Sequence, residues 1–186
     1  MATKTLNRGV SKEEWLQAGL NSLSQNGVSS LTVENLAKTL GIARAGFYWH
    51  FENREALLRH LLEYWVLEQT EKVTENPVLL TLEPKEQLTK AAEMITKYNL
   101  GRYDMAIRQW ASTDEEAARM VRKVNRTRLD FIRDAFRKLG FTGDDIEMRA
   151  MLFVCYHAWE VSTFKEISRK RLRTLIAKRI ELLTKS

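Results

Sequence analysis

The side chains able to do chemistry are few, and their spacing argues first against catalysis. Cys155 and His157 stand two apart on a helical segment and so point to different sides. His50, His60 and His157 are scattered without metal-ligand spacing, and there is no Gly-rich phosphate loop. No enzyme, metal site or cofactor is therefore expected. One cysteine also excludes an intramolecular disulfide framework, which fits a reducing cytoplasm. The second half is instead rich in soft, large side chains: Met94, Met105, Trp110, Met120, Met148, Met151, Phe153, Tyr156 and Trp159. Most of these are expected to be plain core. As a set they suit an apolar ligand cavity between helices, with Tyr98, Tyr103, Tyr156 or His157 as its few polar anchors.

The 186 residues are 44% hydrophobic and 29% charged, the balance of a globular chain with a packed core. Eight Gly and two Pro are few for many short strands and turns, which favours helices. The longest apolar run, 151–159, is broken by His157 and too short to span a bilayer, and the N-terminus does not read as a secretory signal. An intracellular protein without membrane partners is expected. Lys and Arg number 30 against 24 Asp and Glu, a net +6. The excess is +2 in residues 1–60, −2 in 61–164 and +6 in 165–186. Basic ends suit a polyanionic partner, although a solvated helix face would give the same count.

The helix pattern positions these groups. Ser11 and Glu14 form a capping box, Val10 can staple onto Trp15, and Trp15, Leu16, Leu20 and Leu23 recur at helical spacing until Asn26-Gly27 stops the helix. Thr32 caps a two-turn helix that buries Val33, Leu36, Ala37 and Leu40 and ends at Gly41. The pattern resumes almost at once, with Ile42 and Phe47 plugging the corner. Two short helices joined by a tight Gly turn make a helix-turn-helix arrangement. Asn53 is expected to cap a long helix over 54–76, ended by Pro77, and Pro84 to open another in which Leu88, Ala91, Ala92, Ile95 and Tyr98 share a face. Thr113 to Glu116 read as a second capping box, and Gly140 closes that helix. A further helix starts at Asp144 or Asp145, and a last basic one holds Leu172, Leu175, Ile176, Ile180 and Leu183. The fold class is all-α.

Residues 32–62 resemble the N-terminal signature of the tetracycline-repressor (TetR) family of transcriptional regulators, most specifically in the pattern G-I-x-x-x-x-F-Y-W-H-F-x-N-R-E-A-L-L. A weaker similarity runs through W-A-S-T-D-E-E-A to R-L-D-F-I-R and L-G-F. The resemblance implies a three-helix helix-turn-helix DNA-binding domain over 1–54, and a helical ligand-binding and dimerisation domain over 55–186. It further implies a homodimer that holds a palindromic double-stranded DNA operator and is released by a small, largely apolar effector, most simply as a repressor.

Carried over position by position, the recognition helix would be 43–49. Arg44, Ala45, Tyr48 and Trp49 would then share the side opposite Phe47, and Arg44's planar fork would match guanine O6/N7. Tyr48, His50 and Arg54 would hold phosphate, and Thr32 would cap its helix while lending its hydroxyl to the backbone. Ala43 and Gly46 depart from the Ser and Thr common in the family. The effector cavity would draw on Trp65, Tyr98, Tyr103, Trp110, Phe153, Tyr156 and His157. The rival reading is an all-helical adaptor, or a protein of nucleic-acid or membrane surfaces, working through the basic stretch 165–178.

Overall fold

The computed structural model describes residues 9–163 and 167–185, and every regular element among them is helical. The chain divides into two compact units, Met1–Tyr64 and Trp65–Ser186.

In the first unit, α1 (Lys12–Asn26) begins at the expected capping box: the Glu14 backbone N–H donates to Ser11 Oγ at 3.2 Å, and the Ser11 N–H donates to the Glu14 carboxylate at 2.7 Å. Its buried face is Trp15, Leu16, Ala18, Gly19, Leu20 and Leu23. A Cβ at Gly19 would stand 2.6 Å from Leu61 Cδ1, so a larger residue there would force the Leu61 side chain to shift. Helix α2 (Val33–Leu40) is capped by Thr32, whose hydroxyl oxygen accepts from the Asn35 N–H, and it ends at Gly41 in the left-handed region at φ 69°. The Ile42 N–H then returns to the Ala37 carbonyl, which closes the turn without a loop.

The segment expected as a recognition α-helix is a 3-10 helix, Arg44–Trp49. Its tighter winding puts Phe47, fully buried, edge-on to Trp15 with ring centroids 5.5 Å apart. A Cβ at Gly46 would meet only Ile42 Cδ1, at an ordinary 3.5 Å, so no steric demand accounts for glycine there.

Helix α3 (Arg54–Val66) does not run unbroken to Asn76 as the periodicity suggests. It widens into a π-turn, Leu67–Glu71, and resumes as α4 (Lys72–Thr74), while Asn76 caps the short α5 (Pro77–Leu80). The physical partner of the widened turn is Arg128, which takes the Gln69 carbonyl at 3.2 Å and Thr70 Oγ1 at 3.0 Å. The rest of the second unit comprises α6 (Pro84–Tyr98), α7 (Asp104–Ala111), α8 (Glu115–Lys138), α9 (Gly143–Thr163) and α10 (Arg169–Thr184).

Its core joins Leu88, Ala91 and Ala92 of α6, Ile132, Ala135 and Phe136 of α8, Ala150 and Phe153 of α9, and Ile176, Ile180 and Leu183 of α10. Tyr98, expected on the inward face of α6, is instead exposed, because the helix ends there in a left-handed Asn99. The second cap also shifts by one residue: Asp114, not Thr113, receives the Ala117 N–H, at 2.8 Å, while the Thr113 hydroxyl donates to Trp110 O.

Candidate nucleic-acid interface and effector cavity

The first unit presents one face built for contact. Phe47 turns inward, while Arg44, Ala45, Tyr48 and Trp49 lie exposed beside it, Trp49 at 86% and Tyr48 at 63%. Leaving a Trp and a Tyr in water costs about 1.5–3 kcal/mol each relative to burial, so the core did not dictate them. Arg44 Nη1 donates to a Glu34 carboxylate oxygen at 3.0 Å, across from the first turn of α2. Glu34's own backbone N–H, then the Arg44 bond, hold that carboxyl below the usual carboxylate value.

The other expected DNA contacts sit differently. His50 Nε2 is 2.8 Å from the Val10 carbonyl, which ties the ring to the start of α1. Arg54 Nε donates to Leu31 O at 2.7 Å and Nη2 to Val28 O at 3.2 Å. Its guanidinium thus braces the backbone ahead of α2 and does not stand out as a free cation. Thr32 keeps its hydroxyl proton while its oxygen caps α2.

In the second unit, a cavity of about 50 Å³ opens among the π-turn, α6, α8 and α9. Of the residues expected to line it, Phe153 and His157 do. The other five do not. Trp65 is buried, with its indole N–H on Asp104 Oδ1 at 3.1 Å; Tyr103 and Trp110 are buried core; Tyr98 lines a separate surface groove; Tyr156 carries the Arg179 guanidinium 3.7 Å above its ring. For Trp65, Tyr103 and Trp110 the reason is that packing in the core consumes them first, whereas Tyr98 stands exposed at the end of α6.

Sequence reasoning missed the polar wall, formed by Gln69, Thr70 and Arg128. Arg128 binds both oxygens of Asp104, whose side chain is 1% exposed, in a buried pair that also receives the Trp65 indole. The one available signal was an Arg on the apolar stripe of α8 next to Val121, Val124 and Ile132. His157 donates Nδ1–H to Phe153 O at 2.8 Å, and its Nε2 accepts from Arg179 at 2.9 Å. Burial, with Arg179 and then Arg128 adding to it against the Phe153 bond, pushes its pKa down to about 3, so the ring is neutral. Among the described residues no cluster of three metal-ligating side chains occurs, and no helix is long and apolar enough to cross a membrane.

A capped two-helix turn with an exposed aromatic and basic face is a helix-turn-helix arrangement, and it precedes a separate helical unit in the chain. Residues 16–61 match the family model of bacterial regulatory proteins, tetR family. Over that stretch, about a quarter of its length, the chain is similar to that family.

It is 42% identical over 53 residues to tetracycline repressor protein class A from transposon 1721 of Escherichia coli, covering 28% of this chain and 24% of that one. The match thus spans about a quarter of such relatives' length. Solved structures resemble nearly the whole chain. FadR from Bacillus subtilis in complex with stearoyl-CoA has a TM-score of 0.66 at 18% identity, over 94% of this chain and 98% of that one. AibR in complex with isovaleryl coenzyme A and operator DNA has a TM-score of 0.68 at 17% identity, over 93% and 97%. At such identities the likeness shows the fold.

Proposed function

We propose that this protein is a ligand-responsive transcriptional regulator, acting as a repressor, that binds a palindromic operator as a homodimer. The observation that carries the reading is the exposed face of Arg44, Ala45, Tyr48 and Trp49 around the buried Phe47. Residues 1–54 read DNA, with Arg44 on base edges and Tyr48 on phosphate; residues 55–186 dimerise and sense the effector. His50 and Arg54 support that surface from behind through Val10, Val28 and Leu31.

Dimerisation is supported by α9, whose Met148, Met151, Leu152, Cys155 and Trp159 are exposed along one stripe, and Leu182 on α10 is exposed as well. Such a patch on a monomer marks an association surface. Two-fold symmetry then sets the recognition helices about 34–36 Å apart. The cavity supports effector control, and its apolar lining outweighs its polar wall, as ligand pockets usually show. AibR and FadR, which share the fold, hold acyl-CoA ligands. The protein works where the DNA is, in the cytoplasm.

The test is recovery of genomic fragments on the full-length protein, followed by sequencing. A palindromic site is expected, and its retention should be lost in Arg44→Ala. Of the rival surface, residues 165–166 lie outside the described residues, but Lys170, Arg171 and Arg173 are exposed on α10. Retention of arbitrary DNA that disappears when these three become Gln, and not when Arg44 becomes Ala, would sink the proposal in favour of a nonspecific polyanion-binding helix.

A further inference from the structure

Arg44 does not stand on the open face of the first unit alone. A Glu34 carboxylate oxygen, reaching from the first turn of α2, lies 3.0 Å from its Nη1, and both side chains are exposed. Among the described residues Glu34 pairs with Arg44 and not with Lys38, four positions on, the ordinary partner of a glutamate on a helix. Its own backbone N–H first, and then Arg44, hold its carboxyl below the usual carboxylate value, so it is ionised and only accepts. A carboxylate has roughly four lone-pair positions and a guanidinium about five N–H groups. The backbone N–H and Arg44 use two of the former, and Glu34 uses one of the latter. Each member therefore keeps capacity for a further partner. Around Arg44, Ala43, Ala45 and Gly46 carry at most a methyl group, so base edges can come up to the pair.

We propose that Glu34 is a base reader acting beside Arg44: Arg44 takes guanine O6 and N7, and the Glu34 carboxylate accepts from the N4 amino group of a cytosine in the adjoining base pair. The inference rests on the DNA-reading face proposed above and names the bases which that face selects. A fork laid on guanine O6 and N7 fills the groove edge of its own pair. The next pair lies about 3.4 Å along the duplex, and the carboxylate oxygen stands 3.0 Å from the guanidinium, so it falls within one step of that guanine. In the major groove only cytosine N4 and adenine N6 present donors; guanine O6 and N7 and thymine O4 are acceptors, which a carboxylate repels. Adenine sets its N7 acceptor beside its N6 donor, whereas cytosine presents N4 with no acceptor next to it. Cytosine is thus the base that meets the carboxylate without a clash of acceptors. The phosphates would repel a lone carboxylate, and the Arg44 charge offsets this, so the two side chains enter the groove as a neutral pair.

The experiment selects sequences from randomised duplexes on the full-length parent protein and on Arg44→Ala, Glu34→Ala and Glu34→Gln, with the fold of each checked by thermal melting. The parent should enrich a half-site in which a cytosine, on either strand, lies in the pair next to a guanine. Arg44→Ala should lose the guanine preference. Glu34→Ala should keep the guanine and accept any pair beside it. Glu34→Gln should exchange the cytosine for adenine, because a carboxamide matches adenine N6 and N7. N4-methylcytosine in the parent's site puts a methyl in place of the groove-side hydrogen and preserves base pairing. It should weaken the parent about tenfold and leave Glu34→Ala unaffected.

A guanine preference that survives Arg44→Ala, a parent half-site with no cytosine beside that guanine, or a cytosine preference unchanged in Glu34→Ala would each overturn the assignment. So would an equal loss to N4-methylcytosine in the parent and in Glu34→Ala. Glu34 variants that bind every duplex more tightly with the parent's base preferences would make Glu34 only a charge that repels phosphate. An enriched palindrome indifferent to Glu34 would overturn this assignment and leave the regulator reading standing, whereas a parent that enriches no sequence would overturn both.

Discussion

The Arg44 guanidinium and the Glu34 carboxylate meet at 3.0 Å on the exposed face of the helix-turn-helix unit, each side chain about two-thirds exposed. At that exposure solvent screens the pair and it contributes little to stability. Its consequence is orientation. A long arginine on a short 3-10 helix is held with its fork in one place, beside a negative charge that phosphate would avoid.

Arg44→Ala should therefore weaken the cognate operator by about 1–3 kcal/mol per half-site and barely alter binding to random DNA, because a base contact distinguishes sequences. Glu34→Gln should raise affinity for random DNA and shrink the ratio between the two. Competition titrations with cognate and scrambled duplexes measure both. Equal losses on the two DNAs for Arg44→Ala would reassign it to the backbone.

Arg54→Ala removes two charge-assisted bonds to Leu31 O and Val28 O. Unfolding should become easier by about 1–3 kcal/mol, read from urea midpoints. If the braced geometry is its whole role, the slope of log affinity against log salt stays as in the parent protein. A slope shallower by about one per protomer, with stability unchanged, would instead make Arg54 a phosphate ligand.

The exposed stripe on α9 gives a dimer test that leaves the DNA-reading unit untouched. Leu152→Glu should shift sedimentation from dimer to monomer, since burying a Leu contributes about 1.5–3 kcal/mol and two-fold symmetry counts it twice. Operator affinity should fall with it. Cys155, the single cysteine, lies on the same stripe, so a short bis-maleimide should join two chains in the parent protein and not in Leu152→Glu. A Leu152→Glu protein that stays dimeric would place the interface elsewhere.

His157 predicts a pH dependence whose sign follows from its lowered pKa of about 3, against 6.5 for an ordinary ring. Between these values an unfolded chain takes up the proton and the folded one does not. This part of the stability is present above pH 6.5 and is lost as the pH falls toward 3, with a slope of about 1.4 kcal/mol per pH unit for one proton. Carboxylates titrate in the lower part of that window, so the comparison is made between pH 6.5 and about pH 5. Stability in that range should fall more steeply for the parent than for His157→Gln. Parallel curves would show that the folded ring protonates normally.

What the sequence by itself determined is local. Caps at Ser11 and Thr32, the stop at Gly41 and the period of Trp15, Leu16, Leu20 and Leu23 depend on residues within a few positions of one another. The all-helical class and the two-helix turn could therefore be read, as could the outward set Arg44, Ala45, Tyr48 and Trp49, because Phe47 alone matched the core. The tertiary structure decided the rest. Arg54 faces Leu31, 23 positions away, and Arg128 faces Asp104, 24 away, and Thr70, 58 away. No local rule pairs residues so far apart. The same holds for the cavity. An aromatic such as Tyr103 or Trp110 offers large apolar area to whatever packs against it, and only the folded helices determine whether that area closes a core or borders a void. Gln69, Thr70 and Arg128 became a polar wall because the π-turn and α8 meet there, a meeting set by long-range packing and not by the composition of either segment.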